Sequence, residues 1–403
     1  MPERNHDNWI KAYLKYVEET EPPTLFHTWC AVSAIAAALQ RKCYVNWQKK
    51  TTWYPNFYIV LTAPPGKARK GTSMSIAKSF LRDLGIPLAS EATTREALIQ
   101  EIAELSQTDV SESGEMQPHC SITIFSDEFN VFLGHGRQEF MTALTDWFDC
   151  PQNWQYRTKS QGTDSISGMW VNLLAATTPD ALQSALPDEA IGGGFTSRII
   201  FVFEEEKRKA VPFPWETKEE AELYKTLLED LEQIHTMMGQ FKVTDSFNDV
   251  WGPWYKFELE QNPPIDHRLF QGYNSRRQVH TMKLAMVLSA AMSNDMLLEG
   301  KHLKMADELL TKTEAKMPRV FLGTGSSRYD KVTARMMSTI AKEGEISLRR
   351  LCTIHRRDLE DKRHAAGLVE FLGQIGFCKV SLNGDGVHKI KLNEDHEHAK
   401  LFK

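Results

Sequence analysis

Apolar positions along the chain fall into two rhythms. At helical spacing, Trp9, Tyr13, Leu14 and Val17 form one stripe, and Phe26, Trp29, Cys30, Val32, Ile35 and Leu39 form a second, with Pro22-Pro23 between them. Tyr44 to Trp47 reads as a short strand before a Lys-Lys-Thr-Thr turn. Four short, mainly apolar segments, Phe57–Leu61, Cys120–Phe125, Met169–Ala176 and Ile199–Phe203, have the length and β-branched or aromatic content of buried strands. Met74, Ile76, Ala77, Phe80 and Leu81 place a helix after the first run. Further helices are expected from Glu96 to Leu105 and from Phe140 to Trp147. The polar, acidic stretch 106–118 predicts a surface loop, and Gln152–Gly162 predicts a solvated hairpin, with base stacking by its aromatics as the rival reading.

The second half begins helical. Stripes over Ala221–Met238, Asp245–Gln261 and Arg277–Met292 predict a helical region over 206–325. Arg276, Arg277 and Lys283 are assigned to the polar side of the last of these, either reaching a phosphate from a lid or forming a solvated face. From 326 the pattern changes to three helices, Tyr329–Ala341, Ser347–Ile354 and Leu359–Ile375. Two alternating runs follow, Phe377–Leu382 and Val387–Leu392, around an Asn383-Gly384 turn. Three helices and a hairpin predict a winged helix. The expected class is α/β, with an N-terminal helical region over 1–52, a core over 53–205, a helical lid over 206–325 and a winged-helix domain over 326–403.

The chemistry-bearing residues cluster where the buried strands end. After Phe57–Leu61 come Ala63-Pro64-Pro65-Gly66-Lys67-Ala68-Arg69-Lys70-Gly71-Thr72-Ser73 and then the helix. Strand, glycine loop and helix is the order that cradles a phosphate, with backbone N–H groups and the helix N-terminus facing the anion. Laid on G-x-x-x-x-G-K-[ST], Gly66, Gly71 and Ser73 fit but Thr72 occupies the lysine position. With Lys70 as the phosphate lysine, Arg69 replaces a glycine and Thr72 falls one residue late. The sequence therefore leaves Lys70 and Lys67 open for the phosphates, and Thr72 and Ser73 open for the metal. The run Cys120–Phe125 ends in Ser126-Asp127-Glu128, where Asp127 can serve a magnesium and Glu128 can polarise the attacking water. The run Met169–Ala176 ends in Thr177-Thr178-Pro179. Thr177 is the candidate sensor of the γ-phosphate, and Thr178 suits an N-cap. Gly192-Gly193-Gly194 leads to Arg198, a candidate for neutralising transition-state charge, in cis or across a subunit boundary.

Composition changes this picture in three places. Apolar content of 41% with 25% charged residues is ordinary for a globular chain of 403 residues. Six scattered cysteines without a C-x-x-C pair argue against zinc or a disulfide framework and fit a reducing cytoplasm. No membrane span or secretory leader is expected. The net charge of -5 conceals an asymmetry. Residues 326–403 hold 15 Lys and Arg against 11 Asp and Glu, so a basic appendage follows an acidic body. Arg349, Arg350, His355, Arg356, Arg357, Lys362 and Arg363 are its candidate phosphate contacts, with protein contacts as the alternative use.

Five motifs in order carry a resemblance. Pro23–Trp29, Tyr54–Tyr58, Pro65–Thr72, Ser126–Phe129 and Gly193–Arg198 resemble a family of phage and plasmid P-loop NTPases associated with primase- or helicase-like replication proteins. The resemblance implies a RecA/AAA+-type core binding ATP and Mg2+, assembled as a homo-oligomeric ring, a hexamer being one option, on single-stranded or forked DNA, with a primase as a further partner. Carried over are Lys70 and Thr72 for the phosphate loop, Asp127 and Glu128 for metal and water, and Arg198 as a finger. The expectation is an ATPase, helicase-like, in mobile-element replication. The alternatives are a helicase loader or packaging-type ATPase, or a DNA-binding scaffold whose loop has decayed.

Overall fold

The computed structural model describes residues 3–48, 51–90, 94–110, 114, 116–134, 137–158, 162–186, 192–213, 215–259, 263–321, 328–356, 358–359, 362–382 and 388–396. The protein is mixed α/β and divides into two compact units, Met1–Ala315 and Lys316–Lys403. The three ranges 1–52, 53–205 and 206–325 thus meet in one unit, apart from their last ten residues. The physical reason is a helix they share, described next.

In the first unit the chain runs through α1 (Trp9–Tyr16), α2 (Thr24–Leu39), β1 (Cys43–Gln48), β2 (Thr51–Trp53), β3 (Tyr58–Thr62), α3 (Lys70–Asp83) and α4 (Arg95–Glu104). It continues through β4 (Gln107–Val110), β5 (Met116–Ser126), α5 (Phe129–Leu133), α6 (Arg137–Phe148), β6 (Asn153–Thr158), β7 (Gly162–Ser167), β8 (Met169–Thr177), α7 (Pro179–Ala185) and β9 (Ile199–Phe203). Then come α8 (Lys218–Thr236), β10 (Gly239–Gln240), β11 (Lys242–Val243), α9 (Asp245–Trp254), α10 (Gln271–Met292), β12 (Leu297–Leu298) and α11 (Gly300–Glu314). Helix α2 is apolar all round and almost wholly buried, as a helix with neighbours on every side must be. It packs on α3, α8, α10 and the sheet, which merges the three ranges into one core.

That sheet has the order β4-β5-β8-β3-β9. Strands β5, β8, β3 and β9 are parallel, and β3, β8 and β9 are buried at every position, which is why they read as mainly apolar runs rather than as alternating ones. Buried amides tie the layers together. Asn172 on β8 accepts from the Phe57 N–H at 3.0 Å and donates to Ser33 Oγ on α2 at 3.0 Å. The expected loop over 106–118 is overturned. Gln107–Val110 pairs antiparallel with Met116–His119, and His119 binds Asp109 across the pair at 2.7 Å. Backbone pairing and one polar bridge hold this segment, so no apolar alternation announced it. The polar hairpin expected over 152–162 is present as β6 and β7, with residues 159–161 outside the described ones.

The expected helix over Asp245–Gln261 stops as α9 at Trp254 and continues as a π-helical turn over Tyr255–Leu259. On α10 the cations are not a solvated face. Arg277 is buried in ion pairs with Glu314 and Asp307, both at 2.7 Å. Lys283 is buried with its ammonium 3.8 Å from the Phe148 ring centroid and 2.6 Å from Asn56 Oδ1. Burial brings the Lys283 pKa down to about 8. Between there and the ordinary lysine value the unfolded chain binds more protons than the folded one, so stability rises with pH across that window. Below it the full penalty applies, of order 3 kcal/mol. In urea titrations, wild type should gain on Lys283→Met between pH 8 and 10. A difference that stays flat with pH would overturn this.

The second unit contains α12 (Arg328–Glu343), β13 (Glu345–Ser347), α13 (Leu348–Ile354), α14 (Lys362–Gln374), β14 (Cys378–Leu382) and β15 (His388–Leu392). Its sheet is antiparallel in the order β13-β15-β14, around a core of Met336, Ile340, Ile346, Leu351, Leu372, Phe377 and Ile390. Strand β13 was not foreseen. The Asn383-Gly384 turn and Arg357 lie outside the described residues. Among the described residues no helix is long and apolar enough to cross a membrane.

Candidate functional site

The carboxyl ends of β3, β8 and β5 lie side by side, with Thr62 opposite Thr177 and Ser126 opposite Ala175. The loop Ala63–Arg69 leaves this edge and enters α3 at Lys70. Two residues in it take the left-handed conformation, Gly66 at φ 69° and Arg69 at φ 53°. A side chain is strained there, and glycine is the usual occupant. Arg69 therefore holds a backbone geometry that glycine usually supplies, directly before Lys70. Its ammonium lies back across the loop and donates to Ala63 O at 3.0 Å. Burial lowers the Lys70 pKa from its ordinary value. Lys67 is exposed on the loop's outer turn, its backbone N–H donating to Pro64 O at 3.3 Å.

The residue after Lys70 is Gly71, and it faces the acidic strand end. A Cβ added to Gly71 would lie 3.8 Å from Asp127 Oδ1 with no clash. Ser73 is turned the other way. It is fully buried, and its hydroxyl donates to Lys70 O at 2.7 Å, so it is not brought to the phosphate side. Thr72 is exposed at the start of α3. Asp127 and Glu128 are both exposed at the end of β5, and Glu128 precedes α5 without making a side-chain cap. Thr177 is buried at the end of β8, and its carbonyl accepts from the Ala63 N–H at 3.4 Å. Thr178 caps α7, accepting from the Ala181 N–H at 3.2 Å.

Arg198 is not at this edge. It precedes Ile199, which pairs with Tyr58 at the opposite end of β3, about 13 Å of strand from the loop's root. There it is buried, bonded to Asp149 at 2.6 Å and Gly194 O at 2.7 Å. The arginine cannot serve the loop of its own chain, so a role in cis is excluded. Arg276 shares Asp149 at 3.8 Å, and Arg277 is held in its buried ion pairs, so neither of the two readings offered for Arg277, a lid contact or a solvated face, holds.

Two groups of residues were missed. Ser75, Lys78 and Arg82 follow Gly71 on one face of α3 and, with Phe125, Asp127, Glu128 and Phe132, line a cleft of ≈ 560 Å³. Their i+4, i+7 and i+11 spacing from Gly71 was available as a signal. Glu21 is the other. It binds Lys207 and, at 2.7 Å, Arg69, and accepts from the Val211 N–H at 3.3 Å. These contacts, Lys207 foremost, hold its carboxyl down at about 2. A carboxylate outside the loop thus anchors the strained arginine, and nothing in the local pattern marks it.

In the second unit, Arg349, Arg350, Arg356 and Arg363 are exposed, with Arg350 paired to Glu343 at 2.9 Å. His355, foreseen as a phosphate contact, is buried and bonded to Thr339 Oγ1 at 2.8 Å. The chain matches no protein-family model and no curated protein.

Proposed function

We propose that the protein is an ATP-driven, DNA-associated motor with a P-loop NTPase core of the RecA/AAA+ kind. One observation carries this reading: Lys70 follows a left-handed residue at the mouth of a strand–loop–helix, with Asp127 facing the first turn of that helix. The sheet order adds support, because β8 lies between the loop strand β3 and the acidic strand β5, and Thr177 at its end is the proposed sensor of the γ-phosphate. Lys70 binds the β- and γ-phosphates, the loop N–H groups surround them, and Glu128 orients and deprotonates the attacking water.

Mg2+ fits this site as an ion held mainly by water and phosphate, since Mg2+ is commonly bound through one or two carboxylates plus substrate oxygens. Asp127 is the carboxylate, and bound Mg2+ would neutralise phosphate charge. The expected hydroxyl from Thr72 is replaced at the facing position by Gly71. Gly71→Ser would therefore supply the missing ligand, and it should lower the Mg2+ concentration giving half-maximal ATP turnover several-fold. An unchanged Mg2+ requirement would count against the assignment of this face.

A homo-oligomeric ring, with Arg198 acting on the nucleotide of a neighbouring copy, rests on the sequence resemblance and would require Arg198 to leave its buried bonds to Asp149 and Gly194 O. The second unit works as a winged helix on DNA. Its antiparallel sheet and the exposed Arg349, Arg356 and Arg363 support that use. The helicase-like role in mobile-element replication and a primase partner rest on the sequence resemblance alone. ATP hydrolysis by the whole chain, with and without single-stranded DNA, tests the motor, with Glu128→Gln as the control. A second reading, a scaffold with a decayed loop, is favoured by Gly71 at the metal position. DNA binding without hydrolysis under any condition would establish it.

A further inference from the structure

At the opposite edge of the core sheet, where the parallel strands begin, lies a second pocket of ≈ 360 Å³, at the small end of the range for ligand sites. Arg41 and Lys42, in the turn from α2 to β1, lie in its wall and are 7% and 5% exposed. Buried charges are normally paired. Among the described residues neither of these has a carboxylate partner. The Arg41 guanidinium donates to Cys150 O at 2.6 Å, Met169 O at 2.8 Å and Gln152 Oε1 at 2.9 Å, and it lies 4.2 Å from the Tyr54 ring centroid. Lys42 donates to His235 O.

Asp109 is the acid whose charge acts on Lys42. Asp109 accepts from His119 Nε2 at 2.7 Å, and His119 Nδ1 takes the Ser121 hydroxyl at 2.8 Å. Burial lowers the His119 pKa, which fits a neutral ring donating from Nε2. The Asp109–His119–Ser121 chain resembles a hydrolase triad in connectivity only, because Ser121 is fully buried and no substrate could reach its hydroxyl. What the pocket offers is two buried cations with no carboxylate bonded to either among the described residues, Asp109 acting on Lys42 only through space, beside the neighbouring rings of Tyr44 and Tyr54, whose centroids lie 6.2 Å apart. Cations for a phosphate and flat rings for a base are the complement of a nucleotide.

We propose that this pocket binds one nucleotide unit, its phosphate toward Arg41 and Lys42 and its base against Tyr44. The unit is either a free nucleotide or part of a single strand. The site is separate from the phosphate loop and does not depend on the reading of that loop.

Gln152→Glu provides a test that keeps the fold. Gln152 is exposed and already touches Arg41, so a carboxylate there supplies a directly bonded counter-anion from within the chain. Binding of dTMP, inorganic phosphate and labelled oligo-dT to the whole protein is measured by calorimetry or fluorescence polarisation, alongside thermal unfolding. Gln152→Glu is expected to keep or raise the unfolding temperature while weakening dTMP or oligo-dT at least tenfold, and Tyr44→Ser should weaken the same probe. A loss seen for dTMP identifies a free-nucleotide site, whereas a loss seen for oligo-dT alone identifies a strand site. No binding of any probe to wild type, equal binding by Gln152→Glu, or phosphate bound as tightly as the nucleotides would each overturn the proposal.

Discussion

Lys70→Ala is expected to weaken ATP binding on the order of 100-fold, while Lys67→Ala changes it less than about threefold. The two lysines are three residues apart in one loop, and only their backbones separate them. Lys70 follows the left-handed Arg69, opens α3 and directs its ammonium over the loop onto Ala63 O. A triphosphate entering the loop replaces that carbonyl as the acceptor. A charge-assisted bond to phosphate in a partly buried setting contributes about 3 kcal/mol, and each 1.4 kcal/mol is tenfold in affinity. Lys67 is on the exposed turn, where a cation is hydrated and screened. Titration with a fluorescent ATP analogue would measure both. If Lys67→Ala lost binding and Lys70→Ala kept it, the loop would have to be read in the other register.

Glu128→Gln should lower ATP turnover by about 10²- to 10⁴-fold, the range attributed to a positioned general base. Nucleotide affinity should stay within a few-fold, because glutamine keeps the shape and removes only the proton acceptor. Structural damage is not expected to confuse the result. Glu128 is exposed and makes no cap to α5, so the unfolding temperature should not move. Asp127→Asn gives a different signature, a raised Mg2+ requirement, since Asp127 faces Gly71 where the cation would be held. Single-turnover hydrolysis of Glu128→Gln remaining within tenfold of wild type would remove this residue from the role.

The buried strands were legible because they are covered on both faces. Tyr58–Thr62 and Met169–Thr177 have no polar side to show, so their apolar runs could be read directly. The placement of Asp127, Glu128 and Thr177 at one edge followed from those strands ending together. The preference for Lys70 over Lys67 in the proposed reading did not follow, because it rests on a backbone angle at an arginine, and arginine gives no warning of it. Cations on α10 were misjudged for another reason. The partners that bury Arg277, Asp307 and Glu314, lie on α11, 30 and 37 residues away, and a local charge pattern holds no trace of them. The same limit hid Glu21, 48 residues before the Arg69 it anchors.

Arg198 and the phosphate loop occupy opposite ends of the same strands. Under the proposed reading, a single chain therefore holds two half-sites that can never meet, and a dilute solution of the protein is a solution of incomplete catalysts. Turnover per chain would climb with protein concentration until rings fill, and one inactive copy would silence its neighbour as well as itself. Assembly, rather than nucleotide supply, would then be the step at which the activity is switched on.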